Sequence, residues 1–249
     1  FATLARKLRV QSLFGPGKMD RHQVTRASVL LSSGDNFLAG PEFSASLAKG
    51  VPYYDSIALK RIGYDAFAIG NHEFDFGPDV LADFIAGFRG FRSAPFLSAN
   101  LDFSAEPALQ QLVDRGKIAK STVLFRKGRW IGIVGATTED LVFISSPRDV
   151  IINQVQPAVQ AEVDKLEAFG VNIIILISHL QSVNEDLQLI GQLDGVDVAI
   201  AGGGDEVLAN EDDLLVPGDE PAGPYPMVAT DAEENDVPVV TTAGNYKYI

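Results

Sequence analysis

The sequence lacks several features that would point to other classes of protein. Its 249 residues include no cysteine, which excludes disulfide bonds, thiolate metal sites and a cysteine nucleophile. No apolar run approaches the ~18–20 residues that a membrane-spanning helix needs, and the most apolar stretch, residues 171–177, has the length of a strand. Histidine is scarce, with three copies, so each histidine in a polar motif is informative.

Positive charge is also scarce. Lys and Arg number 20 against 33 Asp and Glu residues, which gives a net charge of −13. This excess works against nucleic-acid polymers and anionic membrane surfaces as partners. A phosphate-binding site in such a protein would need metal to reverse the local field. We interpret the acidic stretches 210–219 and 230–236 as solvated loops.

Short apolar runs of strand length alternate with segments of helical period, a pattern typical of an α/β domain. Strands are predicted at residues 27–32, 66–69, 95–99, 121–126, 130–136, 171–177, 196–201, 225–229 and 237–242. Helices are predicted at residues 53–62, 78–87, 155–169 and 184–192, residues 1–9 also have helical character, and residues 13–25 are predicted to be a loop. We expect residues 1–249 to form one domain whose natural N-terminus lies upstream.

Polar residues follow four of the predicted strands, at the edge where open α/β sheets place their sites. The four segments are Gly34-Asp35-Asn36, Gly70-Asn71-His72-Glu73, Ser178-His179 and Gly202-Gly203-Gly204-Asp205-Glu206. Each has an ordinary structural explanation when taken alone, because Asp often caps helices, a lone His is often structural and glycines often mark turns. Together they supply carboxylates, an amide and two imidazoles, and this combination predicts a metal site.

In this order the segments resemble the motifs of the calcineurin-like metallophosphoesterases, and the run from Gly34 to Asp75 is similar to the 5′-nucleotidase branch of that family. Gly70-Asn71-His72-Glu73 is the most specific part of a likeness that covers about residues 27–249. The resemblance implies an α/β fold in which two mixed β-sheets pack as a sandwich with helices outside, in four layers. It also implies hydrolysis of phosphate monoesters, above all 5′-nucleotides, by a water molecule that two divalent metal ions activate.

The same resemblance implies a role for each candidate residue. The metal ligands would be Asp35, Asn71, His179, Glu206 and Asp205. The catalytic residues would be His72 and Asn71, and the substrate-binding residues would be Asn36, Asn71 and His72. Asp35 would bridge the two ions, which would be Mn, Zn, Mg or Fe. Carboxylate ligands in place of imidazole would favour harder ions such as Mn²⁺ or Mg²⁺.

Two departures from the family's motifs bear on activity. The first motif, Asp-x-His after an early strand, is expected upstream of residue 1, and we interpret the literal Asp20-Arg21-His22 as a coincidence because no strand precedes it. The last motif, normally Gly-His-x-His or Gly-His-x-Gln, is here Gly203-Gly204-Asp205-Glu206. Gly204 has no side chain to replace the histidine. We therefore expect the isolated chain to be weakly active or inactive.

Two other functions stay open on the sequence alone. A binding protein with an eroded metal site would use the same scaffold without turnover. A phosphodiesterase, a nucleotide-sugar hydrolase or a hydrolase of sulfur esters would keep the chemistry and change the substrate. The resemblance further implies a periplasmic or extracellular location and a small phosphoester, such as a nucleotide, as the partner. It does not give the oligomeric state.

Overall fold

The computed structural model describes residues 1–14, 27–88, 90 and 93–244. Its helices are α1 (Ala2–Phe14), α2 (Pro41–Lys49), α3 (Tyr54–Ile62), α4 (Pro78–Ala86), α5 (Pro107–Asp114), α6 (Leu141–Ile144), α7 (Val155–Ala168) and α8 (Val183–Ile190), and a 3₁₀ turn spans His72–Phe74. Its strands are β1 (Leu31–Ser32), β2 (Ala66–Ala68), β3 (Phe96–Leu97), β4 (Leu101–Asp102), β5 (Ile118–Ala119), β6 (Ser121–Arg126), β7 (Arg129–Thr137), β8 (Ile151–Ile152), β9 (Ile174–His179), β10 (Val198–Ile200), β11 (Met227–Thr230) and β12 (Asp236–Val240). None of the described helices is long and apolar enough to cross a membrane.

The strands form two main sheets and one small pair. The first sheet has the order β1-β2-β3-β5, and all its neighbouring strands are parallel. The second sheet has the order β11-β12-β10-β9-β7-β6. Its inner strands are parallel, whereas β11 and β6 at the two edges run antiparallel to their neighbours. Strands β4 and β8 pair separately and antiparallel.

Small and branched apolar side chains join the two sheets face to face. Ala66 and Ala68 of β2 lie in one buried cluster with Leu97 of β3, Ile133 of β7 and Ile177 of β9. Because an α/β chain must cover the remaining face of each sheet as well, helices pack on the outside.

Helices supply the apolar cover on both outer faces. Helix α7 places Val159, Val163 and Leu166 in the cluster that covers the second sheet, at the helical spacing seen in the sequence. An aromatic cluster covers the first sheet, with the rings of Phe67 and Phe96 stacked at 4.7 Å between centroids. The layers are helix, sheet, sheet and helix. The predicted α/β sandwich is therefore confirmed, with the difference that the described part of the first sheet is parallel throughout.

Several element boundaries differ from the predictions. Strand β1 begins only at Leu31, because the N–H of Leu30 donates to the carboxylate of Asp65 at 2.8 Å instead of pairing in the sheet. The same carboxylate binds Arg9 and Arg126, each at 2.7 Å. Helices α2, with 9 residues, and α5, with 8 residues, were not predicted. Each begins with a proline, a common first residue of a helix.

The ends of the described ranges bear on two sequence predictions. Leu13 and Phe14 belong to helix α1 rather than to the predicted loop at 13–25. Most of that loop, including Asp20-Arg21-His22, lies outside the described residues.

Candidate active site

The parallel arrangement brings the C-terminal ends of four strands to one edge of the sandwich. Strands β1 and β2 are parallel neighbours in the first sheet, and β9 and β10 are parallel neighbours in the second. The polar segments that follow them therefore meet, as expected for open α/β sheets. The predicted strand 171–177 is displaced, because β9 runs from Ile174 to His179 and pairs His179 with Thr137. His179 is thus the last residue of a strand and is held rigidly by the sheet.

Three electron-rich atoms converge at this edge. The Nε2 atom of His179 lies 2.9 Å from Oδ1 of Asn71 and 3.2 Å from Oδ1 of Asp35. His179 and Asn71 are buried, at 2 % and 5 % exposure, whereas the Asp35 side chain is 23 % exposed. Asp35 reaches this position with a φ of +51°, a left-handed conformation that Asp tolerates better than most residues. Such backbone strain is found disproportionately at functional sites.

The tautomer of His179 decides which atom faces this convergence. Its Nδ1 atom lies 2.7 Å from the carbonyl oxygen of Ser33, which can only accept, so Nδ1 carries the proton. A neutral imidazole then presents the lone pair of Nε2 to two further acceptors, and such a group needs a proton or a metal ion between its members. Burial lowers the pKa of His179, but its hydrogen bond to Asp35 and the charge of Asp35 act the other way, and the net pKa is raised. The donors therefore fit one divalent cation.

The described residues alone do not complete the coordination of such an ion. Within residues 1–14, 27–88, 90 and 93–244, no group of three or more His, Asp or Glu side chains is arranged to hold a metal. The cluster instead combines one carboxylate, one imidazole and one amide oxygen. This set suits ions of intermediate or hard character.

His72 lies beside the cluster and is oriented by a second carboxylate. Its Nδ1 atom lies 2.6 Å from Oδ2 of Asp75, and the other oxygen of Asp75 accepts from the hydroxyl of Ser145 at 3.0 Å. Its Nε2 atom lies 3.9 Å from Oδ2 of Asp35, and 39 % of the side chain is exposed. Burial lowers the pKa of His72, but the bond to Asp75 and the charges of Asp35, Asp75 and Glu73 outweigh it, and the net pKa is raised. His72 is thus a held, accessible proton donor.

Glu73 connects the two polar segments and was not assigned a role from the sequence. Its fully buried carboxylate accepts from the backbone N–H of Gly70 at 2.6 Å, Asp35 at 3.1 Å and Asn36 at 2.5 Å. Burial and the charge of Asp35 raise the pKa of Glu73 to about 7, although these backbone donors oppose the shift. Glu73 therefore fixes the loop that carries Asp35 to the loop that carries Asn71. The predicted Gly-Asn-His-Glu motif contained it, but nothing in the sequence showed that it faces inward.

Asn36 is placed as a bracing residue rather than a substrate contact. Its amide nitrogen donates to the carbonyl oxygen of Ala68 at 3.2 Å and to Glu73 at 3.0 Å. Its amide oxygen accepts from the hydroxyl of Ser32 at 2.7 Å. Both N–H groups of the amide are therefore used inside the protein. The predicted contact between the Asn36 side chain and substrate has no free donor in this arrangement.

The two predicted carboxylate ligands of the last motif make their described contacts within and beside their own turn. Oε1 of Glu206 accepts from the backbone N–H of Val183 at 3.2 Å, at the start of α8. Its other oxygen occupies the space that a side chain at Gly204 would fill. Oδ1 of Asp205 faces Gly244. Among the described residues, neither carboxylate has a hydrogen bond or ion pair with Asp35, Asn71 or His179, because the missing side chain at position 204 lets Glu206 fold back onto its own turn.

Asp186, on α8 behind the site, is a buried acid with one unpartnered oxygen. The hydroxyl of Ser178 donates to its Oδ1 atom, whereas Oδ2 has no partner in the described structure. Burial is the main cause that raises its pKa from 3.8 to about 7, and the charges of Glu185 and Glu206 add to it. The Ser178 hydrogen bond and His179 act in the opposite direction.

The raised pKa of Asp186 predicts a pH dependence of stability. The folded state holds a proton on Asp186 that the unfolded state releases above about pH 4, so this stabilisation is present at low pH and lost as pH rises through about 7. Between pH 5 and pH 8, we expect the free energy of unfolding of the wild type to fall by about 2–3 kcal/mol more than that of Asp186→Asn. Urea denaturation with a chelator present measures this difference.

The exposed Asp212 provides the control for this experiment. Asp212→Asn should leave the pH dependence as it is in the wild type. Parallel stability curves for the wild type and Asp186→Asn would show that Asp186 is ionised in the fold at all these pH values.

Comparisons with known proteins identify relatives of one kind. No protein-family model matches the chain. The chain is 32 % identical over 233 residues to a 5′-nucleotidase of Bos taurus, covering 92 % of the chain and 38 % of that relative. The crystal structure of a 5′-nucleotidase precursor from Thermus thermophilus superposes with a TM-score of 0.75 and 36 % identity, covering 86 % of the chain and 39 % of that structure. A calcineurin-like phosphoesterase, YfkN from Bacillus subtilis, shares the fold with a TM-score of 0.67 and 18 % identity, over 97 % of the chain and 71 % of that structure.

The chain has the fold of a calcineurin-like phosphoesterase, and it is similar in sequence to 5′-nucleotidases over about nine tenths of its length. Within that class, the chain is of the 5′-nucleotidase type, as its motifs predicted. The chain spans less than two fifths of the length of the Bos taurus relative, at 38 %.

Proposed function

We propose that the chain forms the metal-binding and catalytic part of a hydrolase that cleaves phosphate monoesters of nucleotides. The observation that carries this proposal is the convergence of Oδ1 of Asp35, Oδ1 of Asn71 and Nε2 of His179 beside the His72–Asp75 pair. The names of the relatives support the substrate class, since they include 5′-nucleotidases and an apyrase of Anopheles gambiae at 30 % identity.

Asp35, Asn71 and His179 would hold a divalent cation. When bound, the cation would neutralise charge on the phosphoryl group and lower the pKa of a water molecule. We further propose that two ions would be held and that Asp35 would help to hold both, because neither Asn71 nor His179 contacts its Oδ2 atom. Asp205, whose carboxylate lies beside Gly244, or Glu206 would help to hold a second ion, and Glu206 would first have to leave the N–H of Val183.

His72 would act on the ester oxygen. Because Asp75 accepts the Nδ1 proton, Nε2 is the atom left to face substrate. As water attacks phosphorus and loses a proton to solvent, the P–O bond to the leaving group would break, and the departing oxygen would take the Nε2 proton of the His72 imidazolium, the form that the raised pKa of His72 favours. Asn71 would contribute its amide nitrogen to a phosphoryl oxygen, since within the described residues that nitrogen donates to no protein acceptor. The protein would act outside the cytoplasm, in line with the description of the Thermus thermophilus relative as a precursor.

Phosphate release from 5′-AMP and from a phosphodiester, with and without Mn²⁺, tests the proposed function. We expect weak release from 5′-AMP that stops on chelation and returns when Mn²⁺ is added back. Binding of 5′-AMP without release would favour a binding protein with an eroded metal site. Faster cleavage of the diester would favour a phosphodiesterase.

A further inference from the structure

Gln181 lies next to the metal cluster in a strained conformation. Its φ is +81°, in the left-handed region that residues other than glycine rarely adopt. It lies between His179, the last residue of β9, and Ser182, which caps the start of α8. Left-handed conformations of this kind persist only where the surroundings enforce them, and they cluster at functional sites.

The glycine turn after β10 holds Gln181 in this conformation. The N–H of Leu180 donates to the carbonyl oxygen of Gly202 at 3.1 Å. At Gly203, a Cβ atom would lie 2.6 Å from the backbone nitrogen of Gln181 and 3.1 Å from its side-chain nitrogen. Glycine at position 203 is therefore required for Gln181 to pack where it does. The turn thus leaves the space that Gln181 occupies.

The side chain of Gln181 is directed at a proposed metal ligand. Its Nε2 atom donates to Oδ1 of Asn71 at 2.8 Å, and the same oxygen lies 2.9 Å from Nε2 of His179. The amide oxygen of Asn71 is therefore held between the side chains of Gln181 and His179.

We infer that Gln181 is a positioning residue that keeps Oδ1 of Asn71 directed into the cluster and so maintains a cation-ready site at the expense of backbone strain. This inference rests on the cation site of the proposed function. It assigns a role in the site to a residue outside the four predicted motifs. Partners that orient metal ligands typically change metal affinity by about 10–100-fold when they are removed.

The test compares Mn²⁺ affinity with the thermal stability of the metal-free protein. Gln181→Gly removes both the hydrogen bond and the strain, so it should weaken Mn²⁺ binding by about 10-fold or more in calorimetry and raise the metal-free Tm by about 2–4 °C. Gln181→Met keeps the length and the strain but removes the donor. It should weaken Mn²⁺ binding to a similar extent without the gain in Tm.

Glu234 supplies the matched control, because it has a φ of +67° in an exposed turn away from the cluster. Glu234→Gly should raise Tm and leave Mn²⁺ affinity unchanged. Wild-type protein that binds Mn²⁺ together with Gln181 variants that bind it equally well would overturn the inference alone. Wild-type protein that binds no Mn²⁺ would overturn the cation site of the proposed function as well.

Discussion

Asp35→Ala is expected to lower kcat/KM for 5′-AMP by about 10³-fold or more, with loss of bound Mn²⁺. Asp35 supplies the carboxylate that meets Nε2 of His179, and its Oδ1 atom also accepts from the backbone N–H of His72 at 3.1 Å. Its removal deletes the charged member of the ligand set, and electrostatic stabilisation by a bound cation is worth several kcal/mol. Steady-state kinetics and elemental analysis of the same preparations measure both losses.

Asp114, exposed near the end of α5, provides a matched control for charge removal. Asp114→Ala should retain wild-type activity and metal content. If Asp35→Ala kept more than about a tenth of the wild-type kcat/KM, Asp35 would not be a metal ligand in catalysis.

His72→Ala should lower kcat for 5′-AMP by about 10²–10⁴-fold while changing Mn²⁺ affinity little. The imidazole is held by Asp75 and is more than a third exposed, so it is available to substrate. Since its proposed task is to protonate the leaving oxygen, the loss should be much smaller for an aryl phosphate whose leaving group needs no proton. Steady-state rates for 5′-AMP and 4-nitrophenyl phosphate provide the comparison.

An equal loss of kcat for both substrates would rule out leaving-group protonation by His72 and would leave it a phosphate-binding role. A parallel loss of Mn²⁺ would instead show that His72 supports the metal cluster. Asp75→Asn is a second variant that tests the same role. Because Asp75 acts through His72, we expect Asp75→Asn, like His72→Ala, to lower kcat more for 5′-AMP than for 4-nitrophenyl phosphate.

The sequence predicted the fold through features that local chemistry controls. Alternating apolar runs located most of the strands, and the helical spacing of Val159, Val163 and Leu166 located α7. Helices α2 and α5 were missed, although α3, α4 and α8, which are equally short, were predicted. The start of β1 was predicted too early, because the N–H of Leu30 donates to the carboxylate of Asp65, a residue distant in sequence.

The candidate site was predicted in part for the same reason. Asp35, Asn71, His72 and His179 follow or end parallel strands, so topology alone brings them to one edge. Contacts made by the side chains could not be deduced in this way. The inward direction of Glu73 and the hydrogen bonds of the Asn36 amide depend on packing between loops far apart in sequence. The position of the Glu206 carboxylate beside Gly204 depends on the local turn.

Gln181 shows a further limit of sequence reasoning. A glutamine after a strand-end histidine suggests nothing by itself. Its importance comes from a left-handed backbone that only the tertiary structure shows and from the glycine that makes room for it at position 203.

The most direct test of the account is anomalous diffraction from a crystal of the protein soaked in Mn²⁺. The account predicts an anomalous peak within about 2.5 Å of Oδ1 of Asp35, Oδ1 of Asn71 and Nε2 of His179. In the structure, Nε2 of His179 lies 2.9 Å from the Asn71 oxygen and 3.2 Å from the Asp35 oxygen. An absence of Mn²⁺ from this cluster at saturating concentration, or a peak bound only by surface carboxylates such as those of the acidic loops, would contradict it.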